Sequence, residues 1–498
     1  MKCLIQLIAR TRQVIYPVLI IAGALTSTGC AVGPRYKRPA VPTPPAYKEM
    51  GNWQTAQPND QNLGGNWWEI FQDPQLNALE QQINVSNQNL KAAVAQYQQS
   101  RAALRYARAD YYPTVTAGPS ASRQQYSNNR PPQSSNLDGI TFNDFVLPVN
   151  FSYQVNAWGR VSRNVESYRE QAQASAADLA VVNLSMHADL AIDYFAARSL
   201  DAEEKLLKDT VAQYEQALQL NEDRYQGGLA SEVEVEQART ILETTRAQMV
   251  DVGVARAQYE HAVAILVGKT PADFALPPLP LTTPPPPIPV GVPSTLLERR
   301  PDIAAAERRV ASANAQVGLA KTAYYPLVNI LGSGGFESGS ITTLLQGPSG
   351  FWAVGSAALV TLFDGGRRRA LNDQAKASYD SSVASYRETV LTAFQQVEDN
   401  LAALRILKQE AGVQATAVAA AQRSLSLSNS RYEGGVTSYL EVITAQNADL
   451  ADQVTAVNIL GRRMANAVLL IEALGGGWDS AGLPQHPECC GELARGSN

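Results

Sequence analysis

Histidine and cysteine are the residues best able to carry catalysis or bind a metal, and this sequence contains few of them. The three histidines, His187, His261 and His486, stand far apart, and none has a metal-ligand or catalytic-triad partner at a recognisable spacing. The sequence also lacks a phosphate-binding loop and a Rossmann fingerprint. We therefore predict that the protein is not an enzyme and that it holds no metal ion and no cofactor.

Cys30 is the cysteine whose surroundings indicate chemistry. It follows a basic start, an apolar run from Val14 to Leu25 and several small residues, which is the layout of a signal peptide. The apolar run of about twelve residues is too short to span a bilayer about 30 Å thick. We predict a signal peptide over residues 1–29 and a covalent lipid on Cys30. The alternative is an ordinary cleavage site beside a chance cysteine, because Ser27 stands where a lipoprotein box usually has an aliphatic residue.

Composition excludes several other classes of protein. The net charge is −5 with 17% charged residues, so nothing indicates a nucleic-acid partner. The four cysteines do not indicate a disulfide framework, and the adjacent Cys489 and Cys490 have no evident role. After the signal no uninterrupted apolar run approaches eighteen residues, so we expect any membrane crossing to be made by β-strands.

The sequence repeats at an interval of about 207 residues. Arg-Tyr-Gln-Gly-Gly at 224–228 is matched by Arg-Tyr-Glu-Gly-Gly at 431–435. Other landmarks keep nearly the same distance, among them Gly159-Arg160 with Gly366-Arg367 and Tyr111-Tyr112-Pro113 with Tyr324-Tyr325-Pro326. We predict two tandem repeats, over residues 75–276 and 297–475. A proline-rich stretch over 277–296 forms an extended connector between them.

Both repeats predict the same order of elements. A helix without Gly or Pro is followed by a β-hairpin, a helix of about 67 residues, a tight turn and another helix. At 1.5 Å per residue the longest helix measures about 100 Å, far beyond an ordinary globular helix. The predicted segments of the first repeat are helix 75–110, hairpin 112–157, helix 160–226, tip turn 226–230 and helix 231–267. In the second repeat the hairpin covers 325–364, the helix 367–433, the tip turn 433–437 and the last helix 438–474.

The hairpins have an alternating pattern. From Phe145 to Val155 the odd positions are apolar and the even positions mostly polar, which is a period of two. An apolar face of about ten residues opposite a polar one describes a lipid-facing barrel strand. A soluble sandwich strand shows the same alternation, so the pattern alone leaves both readings open.

The repeats together predict a duct. Two hairpins supply four strands per chain, and a sheet of four strands leaves unpaired edges that a bilayer does not tolerate. Several chains must therefore pool their strands to close a barrel. The predicted fold is mainly α with a small β part: a long antiparallel α-helical barrel that continues into a shared transmembrane β-barrel. A structural coiled-coil lipoprotein is an alternative of a different class, but it does not explain matched amphipathic hairpins.

Several motifs resemble those of a known family. They are Cys30-Ala31-Val32-Gly33-Pro34-Arg35-Tyr36, Trp67-Trp68 with Phe71, Asp73-Pro74 and Leu76, Leu297-Glu298-Arg299-Arg300-Pro301-Asp302-Ile303, Phe363-Asp364-Gly365-Gly366-Arg367 and the two Arg-Tyr-x-Gly-Gly turns. Together they resemble the TolC-like outer-membrane factors, in particular the lipoprotein branch that includes OprM and NodT. The resemblance covers nearly the whole mature chain.

The resemblance implies an assembly and a location. Family members are homotrimers with a twelve-stranded barrel, a long α-barrel and an equatorial belt, near which residues 476–498 would lie. They are lipid-anchored in the outer membrane, extend into the periplasm, and serve as passive exit ducts for inner-membrane pumps that they reach through periplasmic adaptor proteins. The expected pump is of the resistance-nodulation-division type and exports several drugs or solvents. A heavy-metal efflux system or a type I protein secretion system is the alternative.

The resemblance also suggests functional residues at the tight turns. Gly227, Gly228, Gly434 and Gly435 would contact the adaptor at the periplasmic tip, although a mere tight turn would use the same glycines. Positions that form the gate in relatives correspond here to Tyr432, Leu440, Glu441, Thr444 and Glu234. Rings of Glu234 and Glu441 would attract cations and lose their mutual repulsion on protonation. A solvated helix face is the alternative for both glutamates.

Overall fold

The computed structural model describes residues 32–50, 65–127, 140–288, 290, 293 and 296–483. The predicted signal peptide, Cys30, Cys489 and Cys490 lie outside these residues. The chain forms two compact units, and each takes segments from both halves of the sequence. The sheet unit comprises the chain up to Pro39, Gln98–Ala172 and Glu307–Ala384; the helical unit comprises Ala40–Tyr97, Gln173–Ala306 and the chain from Ser385 onward.

Helices make up most of the described chain. They are α1 (Pro74–Ser86), α2 (Gln88–Ala109), α3 (Arg160–Gln226), α4 (Glu232–Leu266), α5 (Leu296–Arg299), α6 (Pro301–Thr322), α7 (Arg367–Glu433) and α8 (Tyr439–Ala473). Helices α3 and α7 each contain 67 residues, and α4 and α8 each contain 35. Both pairs begin and end at positions 207 residues apart, so the element order after each hairpin is the same in the two halves.

The first predicted helix, over residues 75–110, is wrong as a single element. The structure divides it at Asn87, which has an extended backbone with a ψ of 125°. The side chain of Asn87 accepts a hydrogen bond from the Leu90 N–H at 2.9 Å and donates one to the Leu266 carbonyl at 2.9 Å. Asn87 thus caps the start of α2 and the end of α4 at once. The two hydrogen bonds that this amide side chain makes to helix ends stabilise the break more than a continuous helix would.

The sheet lies in the sheet unit and is antiparallel throughout. Its strands are β1 (Thr114–Ala117), β2 (Ser120–Gln125), β3 (Thr141–Gln154), β4 (Leu327–Ser338) and β5 (Gly350–Leu359). The described residues thus form five strands where four were predicted. Strands β1 and β2 both pair with β3 and follow each other along its outer edge. Gly118 and Pro119 separate them, because proline lacks the N–H that a continuous ladder requires.

The pairing register gives the sheet two chemically different faces. Val115, Phe151, Gly332 and Val354 stand side by side across four strands, and their neighbours on that face include Val149, Leu147, Phe336 and Trp352. Trp352 is 82% exposed and Val354 is 65% exposed. The opposite face carries Thr116, Asn150, Ser152, Asn329 and Ser333, together with Leu331 and Phe351. An exposed apolar face opposite a more polar one is the arrangement that lipid on one side and water on the other require.

Gly335 shows how closely two of these strands approach. A Cβ atom at this position would lie 2.0 Å from the Leu147 carbonyl oxygen on β3. Only glycine fits there, so the glycine-rich run in β4 serves strand packing.

Helix α8 is apolar enough to resemble a membrane helix. By length and composition alone it could cross a bilayer, with a mean hydropathy of 1.3 over its most apolar window. Uninterrupted apolar runs in the sequence predict no such helix after the signal peptide. Met464, Val468 and Ile471 are buried, so the apolar side chains of its second half serve helix packing.

A buried ionic cluster holds the proline-rich connector within the helical unit. Asp201, on α3, binds the Arg198 guanidinium at 2.8 Å, the Arg256 guanidinium at 3.1 Å and the Leu279 N–H at 2.8 Å. Arg198 also donates to the Pro277 carbonyl at 2.6 Å and stands over the Tyr194 ring at 4.6 Å. Since prolines cannot donate backbone hydrogen bonds, side chains of α3 and α4 fix the path of the connector.

A second buried pair joins α1 to α3. The Glu80 carboxyl lies 2.6 Å from Nδ1 of His187, and both side chains are almost fully buried. Trp68 stacks on the imidazole at a centroid distance of 4.4 Å. Nearby, Asp73 caps α1 through the Gln75 N–H at 2.9 Å and accepts the Tyr194 hydroxyl at 2.6 Å. Trp68 and Asp73, which belong to the motifs of this segment, therefore have structural roles in packing and helix capping.

We predict that Asp201→Ala strongly destabilises the protein. The substitution leaves Arg198 buried without its carboxylate, and removal of one partner of a buried pair costs about 3–5 kcal/mol. The midpoint of thermal unfolding, followed by circular dichroism, should fall clearly below that of the wild type. The matched control is Asp209→Ala, which breaks an exposed pair with Lys205 and should cost about 0–1 kcal/mol. Equal midpoints for the two variants would contradict the assignment.

The Glu80–His187 pair should make stability depend on pH. Burial raises the pKa of Glu80 to about 9 and lowers the pKa of His187 to about 4. The folded pair therefore holds one proton between these values. The unfolded chain holds none above about pH 6.5 and two below about pH 4.5. Stability is thus highest between about pH 4.5 and 6.5 and falls as the pH rises from about 6.5 to 9.

We predict that Glu80→Gln removes the alkaline part of this dependence. The amide donates to Nδ1 of His187 without titrating, so the melting temperature of the variant should stay level from pH 6.5 to 9. Glu69→Gln changes an exposed carboxylate of the same segment and should keep the wild-type profile. A wild-type slope in Glu80→Gln would show that the pair does not hold the proton.

Candidate functional site

The two Gly-Gly turns have the same hydrogen-bond pattern. In the first, Gly228 N donates to Tyr225 O at 2.9 Å and Leu229 N to Arg224 O at 2.7 Å; the corresponding bonds of the second turn measure 3.0 and 2.8 Å. The glycines Gly228 and Gly435 have φ values of +74° and +67°. This is a Schellman ending, in which a left-handed glycine closes the helix and lets the chain reverse. A Cβ atom at either glycine would meet nothing within 4 Å.

Tyr432 lies at the centre of a cluster that joins the two turns. Its hydroxyl donates to Asn221 Oδ1 at 2.5 Å and lies 3.2 Å from Glu234 Oε2. The Arg224 guanidinium stands 4.6 Å above its ring, and the Tyr439 ring lies at 5.1 Å. Burial is the main cause that raises the pKa of Tyr432 to about 12, followed by the charge of Glu234. The hydroxyl therefore remains a donor at physiological pH.

Apolar side chains on the adjoining helices pack against this cluster. Ala238, Tyr432, Tyr439 and Val442 form one buried group, and Val211, Tyr214, Ile241 and Leu242 form the next. Ile443 on α8 contacts both groups. Helices α3, α4, α7 and α8 thus meet at the turns and hold Tyr432 in place.

The other predicted site residues lie on the surface of α8. Leu440 is 57% exposed, and the Thr444 hydroxyl donates to the Leu440 carbonyl at 2.8 Å. Glu441 lies 3.8 Å from the Arg431 guanidinium, with both side chains more than half exposed. The structure therefore brings Glu234 to Tyr432, whereas Glu441 faces Arg431 in a solvated position.

An apolar groove lies between α4 and α8 beside the turns. Its volume is about 650 Å³, and Val233, Ile241, Leu440 and Ile443 line it, with Glu232 and Glu236 also in its wall. The groove is open to solvent at the same end of the helical unit as the glycines.

Sequence reasoning missed Asn221, Arg224 and Tyr439 as members of the site. Arg224 occupies the position that matches Arg431 in the repeated turn, which was a signal for it. Tyr439 immediately follows the N-cap residue of α8, and its helical register with Val442 pointed to a shared face. Asn221 carries no such signal, because its role depends on contact with the other half of the chain.

The chain belongs to the outer membrane efflux protein family. The family matches residues 79–269 and 292–476. The sequence is 31% identical over 471 residues to the toluene efflux pump outer membrane protein TtgF of Pseudomonas putida, covering 93% of this chain and 97% of the relative. It is 30% identical to the cation efflux system protein CusC of Escherichia coli O6:H1, covering 91% and 97%.

Solved structures agree with this assignment. The outer-membrane channel OprN is similar with a TM-score of 0.84 at 27% identity and covers 90% of this chain and 100% of its own. The open state of the Neisseria gonorrhoeae MtrE outer membrane channel has a TM-score of 0.79 at 25% identity, with 91% and 99% coverage. The protein is thus a mainly helical outer membrane efflux channel with an antiparallel sheet. Proteins of this family are channels that work with an adaptor and an inner-membrane pump.

We predict that Tyr432→Phe loosens the connection between the turns. Asn221 is 1% exposed, and loss of its donor leaves a buried oxygen unpaired at a cost of about 1–3 kcal/mol. Hydrogen exchange of backbone amides over residues 430–444 should become faster. Tyr225→Phe, at the matching position of the first turn, changes an exposed side chain and should leave these rates as in the wild type. Unchanged exchange in Tyr432→Phe would contradict the role of the hydroxyl.

Proposed function

We propose that this protein is the passive exit duct of a tripartite efflux system, a homotrimer that receives substrates from a pump and an adaptor. The observation that carries this proposal is the sheet, whose apolar face and two open edges suit closure with other copies in a bilayer. Membership of the efflux family supports the same function. The two halves, with helices of equal length at a constant interval, are proposed to be tandem repeats.

We propose that three chains close one β-barrel. Each chain offers β1 and β2 at one edge and β5 at the other. Counting β1 and β2 as one position gives four positions per chain and twelve in a trimer. Closure pairs every backbone group at the edges, which a bilayer requires.

A lipid on Cys30 fits the placement of the chain that follows it. Val32 N donates to the Trp158 carbonyl at 3.2 Å, and Arg163 donates to the Val32 carbonyl at 3.1 Å. Trp158 lies four residues after β3. Val32, two residues after Cys30 in the sequence, is thus fixed beside the end of β3. We propose that the cysteine is lipidated and inserts its acyl chains beside the barrel.

The turns are proposed to form the periplasmic gate and the docking site of the adaptor. Tyr432 and Glu234 join the two turns at the proposed gate, and Leu440, Glu441 and Thr444 extend it along α8. Gly228 and Gly435 leave space above the turns for another backbone. Gly227 and Gly434, the residues before them, complete the proposed contact surface. The groove between α4 and α8 offers apolar side chains with carboxylates, which suits an amphipathic helical hairpin bearing cations.

The proposed substrates are organic toxic compounds exported by a pump of the resistance-nodulation-division type. Similarity to the toluene efflux protein TtgF supports this class. Cation efflux is the second candidate, because CusC is similar to almost the same degree. The described residues hold no group of three or more His, Cys, Asp or Glu able to bind a metal ion.

We predict that Gly435→Phe abolishes efflux without loss of the trimer. The bulky side chain projects into the space where an adaptor would pack. A strain that lacks the gene and carries this variant should be as sensitive to a panel of solvents and antibiotics as the strain with an empty vector. Crosslinking to the adaptor should also be lost, while native gels show wild-type trimers.

The matched control is Gly365→Phe. Gly365 has a φ of +62° and also has nothing within 4 Å of an added Cβ atom, so the backbone strain is comparable. It lies in the sheet unit before α7, away from the turns in sequence. This variant should restore resistance and crosslinking. Full resistance with Gly435→Phe would overturn the docking assignment, and wild-type tolerance in the strain with an empty vector would overturn the efflux function.

A further inference from the structure

Every connection between strand and helix in the sheet unit carries an exposed aromatic side chain near the strand end. Tyr112 comes two residues before β1 and Tyr325 two residues before β4. Trp158 comes four residues after β3 and Phe363 four residues after β5. Their exposed fractions run from 37% for Trp158 to 88% for Phe363. Trp158 and Tyr325 stack on each other, but all four rings keep a large exposed fraction that core packing does not explain.

A cation follows each aromatic residue on the helical side. Arg108, Arg160 and Lys321 each lie six residues from the nearest strand end, and Arg367 lies eight residues beyond β5. None of the four side chains has a carboxylate partner among the described residues. This basic level stands in a protein whose net charge is −5.

The four helix ends that carry these residues lie near one another. Ala107 near the end of α2 packs on Val161 and Val165 at the start of α3. Arg160 borders a groove of about 480 Å³ together with Ala320 of α6 and Leu371 of α7. The rings of Trp158 and Tyr325 stack at 5.1 Å. We call Arg108, Arg160, Lys321 and Arg367, with the four aromatic residues, the collar.

Nearby carboxylates leave the collar positive. Asp364 binds the Arg368 guanidinium at 2.6 Å, and Asp373 lies 3.9 Å from Arg369. These acids are therefore matched by cations other than those of the collar. Asp110 is the remaining exposed acid of the α2 end, so the four cations exceed the acidic charge at this level.

We propose that the collar binds the phosphate headgroups of anionic phospholipids in the periplasmic leaflet, a proposal that rests on the membrane location given above. Exposed tyrosine and tryptophan rings favour the boundary between acyl chains and headgroups. The arginine and lysine side chains stand on the helices, further from the strands than the aromatic rings. There they reach the phosphates, which attract cations beside a membrane. The order apolar strand, aromatic ring, cation is the order of layers in a leaflet.

The position of Val32 agrees with this level independently of the charges. Its backbone binds at Trp158, within the collar. Val32 follows the proposed lipid attachment site, Cys30, by two residues. A lipid at that site agrees with a collar at the level of the headgroups.

The test is lipid binding by the full-length trimer in detergent micelles. Fluorescent phosphatidylglycerol and phosphatidylcholine are titrated separately, and binding is followed by anisotropy. The wild type should prefer phosphatidylglycerol by about tenfold or more at low salt, because each cation near the headgroups adds attraction. The preference should shrink as the salt rises toward 1 M, where the Debye length is about 3 Å.

The decisive variant replaces the four collar cations by glutamine, as Arg108→Gln, Arg160→Gln, Lys321→Gln and Arg367→Gln together. It should lose the preference. A control with Lys91→Gln, Lys208→Gln, Lys408→Gln and Arg423→Gln removes the same charge in the helical unit and should keep it. A third variant, Arg108→Lys, Arg160→Lys and Arg367→Lys, should also keep it, which separates charge from folding defects.

Two outcomes overturn the proposal. One is an equal preference for phosphatidylglycerol in the wild type and the glutamine variant. The other is an unchanged preference combined with altered ion selectivity in planar bilayers, which would place the cations in the lumen. Conductance of the wild type in neutral bilayers reports on the duct function separately. A conducting wild type without lipid preference therefore refutes the collar alone, and a wild type that never conducts refutes the duct.

Discussion

The edges of the sheet are the constraint on which the account depends. Strands β1 and β2 on one side and β5 on the other present backbone groups that the described chain does not pair. In water such an edge is tolerable, but in a bilayer each unpaired group costs several kcal/mol. The apolar face of the same sheet, with Trp352 and Val354 exposed, excludes water as the permanent neighbour of that face. The proposed closure with further copies would pair the edges, and the lipid of the outer membrane would cover the apolar face.

The need to pair polar groups away from water also explains where the polar and charged side chains lie. The middle of the sheet has one apolar and one more polar face, and the helical unit places its buried charges in defined pairs such as Asp201 with Arg198 and Glu80 with His187. These pairs fix segments that have little regular structure of their own. At the turns, by contrast, a single hydroxyl on Tyr432 joins elements from both halves. This connection consists of the contacts of one hydroxyl, a guanidinium over its ring and a small apolar group. Its small extent suits the gate that we propose at the turns.

Much of the fold could be predicted from the sequence, because long runs without Gly or Pro and a strict period of two are strong local signals. The bounds of α3 and α7 follow from Gly159, Gly227 and their counterparts. The break at Asn87 could not be seen, since it depends on a hydrogen bond to Leu266 in a distant helix. The division of the first strand depends on Gly118 and Pro119, which were visible, but its consequence for pairing required the register with β3.

The site was predicted less completely for the same reason. Glu234 and Tyr432 were found through resemblance, whereas their contact, and the parts of Asn221 and Arg224, follow from the meeting of two halves of the chain. Glu441 and Thr444 lie where expected along α8, yet their roles depend on neighbours in an assembly. Local pattern identifies elements, but contacts between distant segments decide function.

Crosslinking between the two open edges tests the central claim most directly. A cysteine at Thr116 on β1 is combined in turn with a cysteine at each position from Ala353 to Ala357 on β5, in a background that lacks Cys489 and Cys490 but keeps Cys30. Paired strands bring Cα atoms to about 5.5 Å, within reach of a disulfide. At least one combination should give covalent dimers and trimers on denaturing gels after oxidation in cells. Monomers for every combination, with the protein folded in the outer membrane, would contradict a barrel shared between chains.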